Sequence, residues 1–425
     1  MGKFEGMKLL ELGTNVGSVD IVKYAKSEGA FVVVADYLPP EKSDAKQIAD
    51  EAIEISTLDT DALIDYAKKN KINAAISGVS EANIESARQI NEAINNKYFY
   101  NSKQWKNFMT KSLFRELCQK YSVPTPKTYH KGSIDFINKE SIEYPVIVKP
   151  VDNGANAGIS VCYQKDDLDK AIEFALSFSD KKEIIIEQFI YGTEVSSTYV
   201  IQNGNCQLVC IGDKYAYENE NKLRALSNAY IYPSLFYKEY LNKVDKYVKD
   251  MILGESIDNC TIFFQGIYDK GEFYIFEAGL RMEGTASFRI TNAMNNQNFM
   301  HFLVDGILKT KTDYDIKKED AFFTGRKCVV FSQILDGGEI SKIEGISAIE
   351  NDPMIISFEQ RHKIGDFVKR DGTLRQIMFR YVMIDSDMNK VIEKIKYIQD
   401  TVRVYDPSGK NILLNCFNPD ILRRG

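Results

Sequence analysis

Thr261-Ile-Phe-Phe-Gln265-Gly-Ile-Tyr268-Asp269-Lys270-Gly271-Glu272-Phe-Tyr-Ile-Phe-Glu277-Ala278-Gly279-Leu280-Arg281 reads as two apolar strands folded back on each other. Aromatic and β-branched residues fill both runs, and Asp269-Lys270-Gly271 separates them. A three-residue loop ending in Gly fits a type I turn closed by a bulge. That register sets Tyr268 opposite Glu272 and Gln265 opposite Ile275, with Glu277 two residues further along on Gln265's own face. Diagonal neighbours in such a ladder lie roughly 7–8 Å apart, close enough for an amide oxygen and a carboxylate to share a metal ion. A two-residue turn, Lys270-Gly271, predicts the opposite, with the two side chains on different faces. Mg2+ suits a pair of this kind, because it takes one or two protein oxygens and completes its shell with phosphates and water. Arg281, just past the second strand, offers a fixed cation for charge on a transferring phosphoryl group. Taken alone, Gln265 is equally an ordinary polar strand residue.

Two upstream strands end on charged groups. In Pro145-Val-Ile-Val-Lys149-Pro150 the lysine closes an apolar strand, where burial is costly unless an anion meets it. The next residues, Asp152-Asn-Gly154-Ala-Asn-Ala157-Gly158-Ile-Ser160, form a loop of small side chains that can aim backbone N–H groups at phosphate oxygens. No GK[ST] follows, so this is not a Walker A loop. Glu183-Ile-Ile-Ile-Glu187-Gln188-Phe189-Ile190 then runs into Tyr191-Gly-Thr-Glu194. A strand edge followed by a turn suits a purine, and Glu194 lies where a carboxylate can reach a ribose. A core strand with solvent-facing glutamates is the plain alternative.

The first hundred residues alternate apolar strands (Lys8–Leu12, Ala30–Ala35, Ile72–Ser77) with helical patterns (Val19–Glu28, Asp59–Lys69, Glu81–Asn95). Such alternation predicts a parallel, Rossmann-like sheet with right-handed crossovers. Gly13-Thr-Asn-Val-Gly17 after the first strand, with Asp36 ending the second, imitates a dinucleotide fingerprint. Its GxxxG spacing departs from GxGxxG and fits a tight strand–helix turn equally well. Glu81, at the end of a strand of the same sheet, is a candidate amine binder or a helix-capping carboxylate. From Pro145 to about Lys309 short strands alternate with helices. The last hundred residues read as a small α+β lobe, with strands at Lys327–Leu335, Ile355–Phe358 and Gln376–Ile384 and a helix at Asn389–Thr401.

Composition narrows the classes. In 425 residues, Lys and Arg total 54 against 60 Asp and Glu, a net charge of −6, so no excess of positive charge is available to hold a nucleic acid. The 7 cysteines include no CxxC, and the 3 histidines (His130, His301, His362) are too scattered for a zinc site built by neighbours in sequence. No apolar run is long enough to span a membrane, and the N-terminus enters a strand without a signal-peptide pattern. The expectation is a reduced, cytoplasmic protein.

The order of these motifs resembles the ATP-grasp superfamily, and within it the carbamoyl-phosphate synthetase large chain and the L-amino-acid ligases. The likeness covers nearly the whole chain. It implies a Rossmann-like pre-ATP-grasp domain (1–105), an ATP-grasp fold in two subdomains (106–190 and 191–325) and a C-terminal α+β lobe (326–425). Thr110-Lys111-Ser-Leu-Phe-Arg115 before Val123-Pro-Thr-Pro126 matches the helix that bears the family's first nucleotide lysine, so Lys111 is implied as a phosphate contact. Lys149 matches the second lysine, and Gly154, Ala157, Gly158 and Ser160 belong to the matching phosphate loop. Glu187, Gln188, Phe189 and Ile190 match the adenine strand, and Glu194 the ribose carboxylate. Gln265 and Glu277 match the first two metal ligands, and Arg281 the active-site arginine. Two departures stand out. Gln265 replaces the usual Glu, and Gly279 replaces the Asn that serves as third ligand, with Glu283 the nearest substitute.

The implied reaction uses ATP and Mg2+ to phosphorylate an acid. The acyl phosphate is then attacked by an amine or another nitrogen nucleophile, with the Asp152–Ser160 loop as lid. Lys214 and Arg224 are candidates for the acid's carboxylate, or else solvated surface charges. A small-molecule kinase and a nucleotide-binding module without turnover share the same motifs. Family analogy also suggests a homodimer.

Overall fold

The structure is a computed structural model that describes residues 2–152, 158–217, 226–414 and 417–424. Short apolar runs near the N-terminus form four parallel strands: β1 (Lys8–Leu12), β2 (Phe31–Ala35), β3 (Glu51–Ile53) and β4 (Ala74–Ile76). Their order is β3-β2-β1-β4, so the chain reverses direction of growth at β1. Helix α1 (Ser18–Ser27) follows β1, and α2 (Glu81–Ala93) follows β4. The strand C-termini at that reversal open into the crevice where such sheets take ligands. Gly13 turns the chain there with φ 90°, and a Cβ on it would meet the Asn83 amide at 2.2 Å.

A helix, α3 (Lys111–Lys120), stops before Pro124 and Pro126 and leads into a second, antiparallel sheet. Its strands are β5 (Thr128–Gly132), β6 (Val146–Pro150), β7 (Ser160–Cys162) and β8 (Ile184–Gln188), in the order β5-β8-β6-β7. This small sheet encloses a core of its own, with Val146, Val148, Ile184 and Ile186 packed on Leu168, Ile172 and Ala175.

The third sheet has nine strands. Its main path runs β13-β12-β9-β10-β11-β14-β16-β15, and Leu413–Leu414 pairs beside β14. Here β9 is Thr193–Gln202, β10 Asn205–Tyr217, β11 Leu226–Tyr232, β12 Cys260–Asp269, β13 Glu272–Gly279, β14 Lys327–Leu335, β15 Ile355–Gln360 and β16 Ile377–Asp385. The sequence reading puts no strand between Glu183–Phe189 and Thr261–Tyr268, whereas β9, β10 and β11 lie there. The reason is visible in β9: Ser196, Ser197 and Thr198 are all buried and hydrogen-bonded, so the strand shows no apolar–polar alternation. The last hundred residues continue this same sheet through β14, β16 and β15. Helix Met388–Thr401 covers them with Val391, Ile392, Ile395 and Ile398. A single apolar core runs from β1–β4 through Phe114, Leu117 and Cys118 of α3 to β9, β10 and β12.

Candidate active site

The hairpin β12–β13 sets the first two groups. It closes with the two-residue turn, since Asp269 pairs with Glu272 and both Lys270 (φ 48°) and Gly271 (φ 90°) are left-handed. The three-residue register is therefore wrong. The expected penalty, opposite faces for Gln265 and Glu277, does not follow, because the ladder shifts between Gln265 and Gly266. Gly266 pairs with Ile275 and Gln265 with Glu277, so Phe276 is an extra, bulged residue. The bulge cancels the one-residue error and makes Gln265 and Glu277 direct cross-strand partners on one face.

Position 279 has no room for a third ligand. A Cβ on Gly279 would lie 2.1 Å from Cε1 of Phe263, its partner across the ladder. The Phe263 ring carries the Arg281 guanidinium, 4.7 Å from its centroid. Arg281 also donates to Glu81 Oε1 through Nη2 (2.9 Å), and through Nη1 to the Met282 carbonyl (3.0 Å). Glu81 is thus brought from α2 to the end of the hairpin. Glu283 does not fill in as a ligand: Ser196 donates to one of its oxygens and Thr285 to the other (2.9 Å).

Across the cleft, Lys149 and Glu187 are diagonal neighbours on β6 and β8, with Nζ–Oε2 2.9 Å. Arg115, four residues after Lys111 on the same helix, donates to both Glu187 oxygens, Nη2 to Oε2 at 3.1 Å. Glu187 is fully buried. Burial alone raises its carboxyl, but Lys149 and Arg115 outweigh that and hold it at about 2. Its side chain is therefore an ion-pair anchor for Lys149. Gln188 and Phe189 donate their backbone N–H groups to Lys127 (2.8 Å) and Pro145 (3.0 Å), and Phe189 packs between Tyr163 and Tyr191. Ile190 is buried beside them.

Electrostatics tie the segments together. Burial lowers the Lys111 ammonium, with Glu277 opposing and Lys149 reinforcing the shift. Burial raises the Glu277 carboxyl, and nearby Glu81 adds to this against Lys111, Arg281 and Lys149. Glu277 is nonetheless exposed to solvent while surrounded by these charged groups. Lys111, Lys149, Arg115 and Arg281 outnumber Glu187, Glu277 and Glu81 in this cluster. The excess of positive charge suits a polyanion.

The other expected residues divide. Lys214 and Glu194 face each other across β10 and β9 and form an ion pair of 2.6 Å, so neither waits alone for a ribose or a carboxylate. Gly158 has φ 73° and abuts Phe178, and Ser160 begins β7. Asp152 accepts from Ser179 (2.7 Å) and the Lys181 N–H (2.9 Å), fixing the start of the loop. Gly154, Ala157 and Arg224 lie outside the described residues. Asp36 is buried and caps the Leu38 N–H (2.7 Å), which fits the plain strand-end reading. Arg115 and Phe263 went unnoticed in the sequence. Only the four-residue spacing from Lys111 marks Arg115.

The family model described as D-ala D-ala ligase C-terminus matches residues 118–299. A formate-dependent phosphoribosylglycinamide formyltransferase of Bacteroides thetaiotaomicron is 23% identical over 420 residues, covering 94% of this chain and 100% of the relative. Another of that name, from Prochlorococcus marinus, is 25% identical over 48% of this chain, which spans about half (52%) of its length. A D-alanine–D-alanine ligase of Flavobacterium psychrophilum is 33% identical over 22% of this chain and 29% of its own. Among solved structures, an L-amino acid ligase from Bacillus licheniformis superposes with TM-score 0.78 at 17% identity, covering 95% of this chain and 99% of that one. The biotin carboxylase domain dimer of the Hydrogenobacter thermophilus 2-oxoglutarate carboxylase, in complex with MgADP, ADP and bicarbonate, superposes with TM-score 0.79 at 15% identity, covering 98% and 93%.

Proposed function

We propose that this protein is an ATP-dependent ligase that joins a carboxylic acid to an amine or another nitrogen nucleophile through an acyl phosphate, releasing ADP and phosphate. The observation that carries the reading is the convergence of Lys111, Lys149, Gln265, Glu277 and Arg281, drawn from three separate segments, on one cleft. Phosphoryl transfer needs positioning and charge neutralisation more than covalent help from the protein. Lys111 and Lys149 hold phosphate oxygens, and Glu187 with Arg115 keeps the Lys149 ammonium in place. Arg281, steadied by Glu81 and the Phe263 ring, faces the acyl phosphate. Ile190 and the Phe189–Tyr191 edge take the purine; most of the Asp152–Ser160 segment expected to act as lid lies outside the described residues.

The donor set at the hairpin fits Mg2+. An amide oxygen and a carboxylate are hard donors on one face, and no larger cage of His, Cys, Asp and Glu exists among the described residues. When bound, Mg2+ supplies charge neutralisation between the transferring phosphates. Position 279 contributes no ligand, so Gln265 and Glu277 are the protein's share. The division into 1–105, 106–190, 191–325 and 326–425, a cytoplasmic setting and a homodimer belong to the same proposal. No helix among the described residues is long and apolar enough to cross a membrane.

The test is a screen of acid–amine pairs for Mg-dependent phosphate release, with Lys149→Ala and Glu277→Ala as controls. Release that requires both acid and amine supports the ligase. Release with the acid alone assigns a kinase, and ADP binding with no release from any pair assigns a module without turnover.

A further inference from the structure

The face of the nine-stranded sheet that carries Glu277, Gln265 and Ser196 continues, strand by strand, to a second group of charges. On β16, Arg380 stands directly opposite Glu359 of β15. Arg380 is 7% exposed and donates from Nη1 to the Gly284 carbonyl at 2.6 Å. Its Nε is buried with no partner among the described residues. Arg361, just past β15, approaches Glu359 Oε1 at 3.3 Å, but in a geometry that leaves its buried Nε unsatisfied as well. Glu359 Oε2 is 3.9 Å from Arg380 and accepts no hydrogen bond among the described residues.

A guanidinium presents five N–H donors in a rigid fork, and leaving them unmet in a buried place is costly. One carboxylate between two guanidinium groups does not meet that demand in geometry or in charge. The neighbours do not meet it either. Glu283 is committed to Ser196 and Thr285, and Arg281 already takes Glu81. The phenols of Tyr230 and Tyr232 lie near Arg380, and Ser332 stands directly opposite it on β14; none of them carries a charge to balance it. Burial and the adjacent Arg361 lower the Arg380 guanidinium to about 10, and Glu359 opposes this only in part. Arg361 keeps a side-chain exposure of 20%, so the pair is reached from solvent on that side.

We infer that Arg380 and Arg361 bind an anionic group, a carboxylate or a phosphate ester, carried by one of the two small-molecule substrates at the end remote from the reacting carboxyl. The fork suits either anion, because both offer paired oxygens to parallel N–H groups. Glu359 lies between the two cations and yields to the anion by turning its carboxylate onto one of them. The inference rests on the ligase reading, since it assigns the far end of that reaction's substrate.

Calorimetric titration of the full-length protein with succinate, with inorganic phosphate and separately with ADP tests it. Saturable binding of succinate or phosphate to the wild type is expected, weakened at least tenfold in Arg380→Met and in Arg361→Met, with ADP affinity changed less than twofold. Arg380→Lys keeps the charge and loses the fork. It covers the case in which Arg380→Met does not fold, and it is expected to lose most of the anion affinity too. Tighter succinate assigns a carboxylate-bearing substrate, and tighter phosphate a phosphate ester. Absence of saturable binding of both anions to the wild type overturns the inference, as does equal affinity in the wild type and the variants. Loss of the ligase reading shows separately, as failure of ADP to bind the wild type.

Discussion

Replacing Glu187 by Gln removes one charge from a buried triad and leaves Lys149 and Arg115 facing each other. The size of the effect follows from the titration. The Glu187 carboxyl falls from an ordinary 4.5 to about 2 in the fold, which at about 1.4 kcal/mol per unit is roughly 3 kcal/mol of stability at pH 7. Breaking a buried ion pair from one side costs about 3–5 kcal/mol, so the two routes agree. The sign is that of a depressed carboxyl: the stabilisation is complete above 4.5 and is lost as pH falls through about 2. Urea unfolding followed by circular dichroism at pH 7 and pH 4 is the assay. The variant is expected to be less stable by about 3 kcal/mol at pH 7, and the gap is expected to shrink by about 1 kcal/mol at pH 4. ADP affinity is expected to fall as well, because Lys149 loses its anchor. A variant as stable as the wild type at pH 7, or a gap that does not change with pH, refutes the reasoning.

Three further outcomes are expected. Gly279→Ala drives a Cβ into the Phe263 ring at 2.1 Å and is expected to lower stability by about 1–3 kcal/mol, read as a fall in urea midpoint; an unchanged midpoint refutes the packing argument. Glu277→Ala is expected to abolish Mn2+ binding in the presence of ADP, followed by electron paramagnetic resonance of the free ion, while the fold persists by circular dichroism. Asp213 is buried, and burial pushes its carboxyl to about 6 against bonds from Ser234 and the Leu235 N–H. The folded state therefore holds the proton more tightly than the unfolded chain, and stability relative to Asp213→Asn is expected to rise as pH drops from about 6 toward 4. Parallel pH profiles for the two proteins are the contrary result.

Much of the site was legible because its residues end apolar strands. Lys149 and Arg281 stand where a strand stops, and their charge is conspicuous against Val146–Val148 and Ala278–Leu280. The sequence reading sets Gln265 and Glu277 on one face as diagonal neighbours, through the wrong turn, whereas they are direct partners. Nothing local marks Phe276 as the bulged residue, since it differs little from the aromatics around it. The role of Glu187 was hidden for a different reason: Ile184, Ile185 and Ile186 are all buried, so the strand gives no inward–outward rhythm from which to read the direction of the next side chain. Its partner Arg115 is 72 residues earlier. Arg380 is similarly silent, because its significance lies in a bond it does not make.

The division of apolar cores has a mechanical meaning for the Glu187 triad. Glu187 and Lys149 ride on the small sheet, which packs on its own interior, whereas Arg115 sits on a helix whose Phe114, Leu117 and Cys118 are rooted in the main body. The Arg115–Glu187 contact is therefore a clasp between two pieces of the molecule, and a swing of the small sheet either pulls that clasp open or drags α3, and Lys111 at its head, along with it.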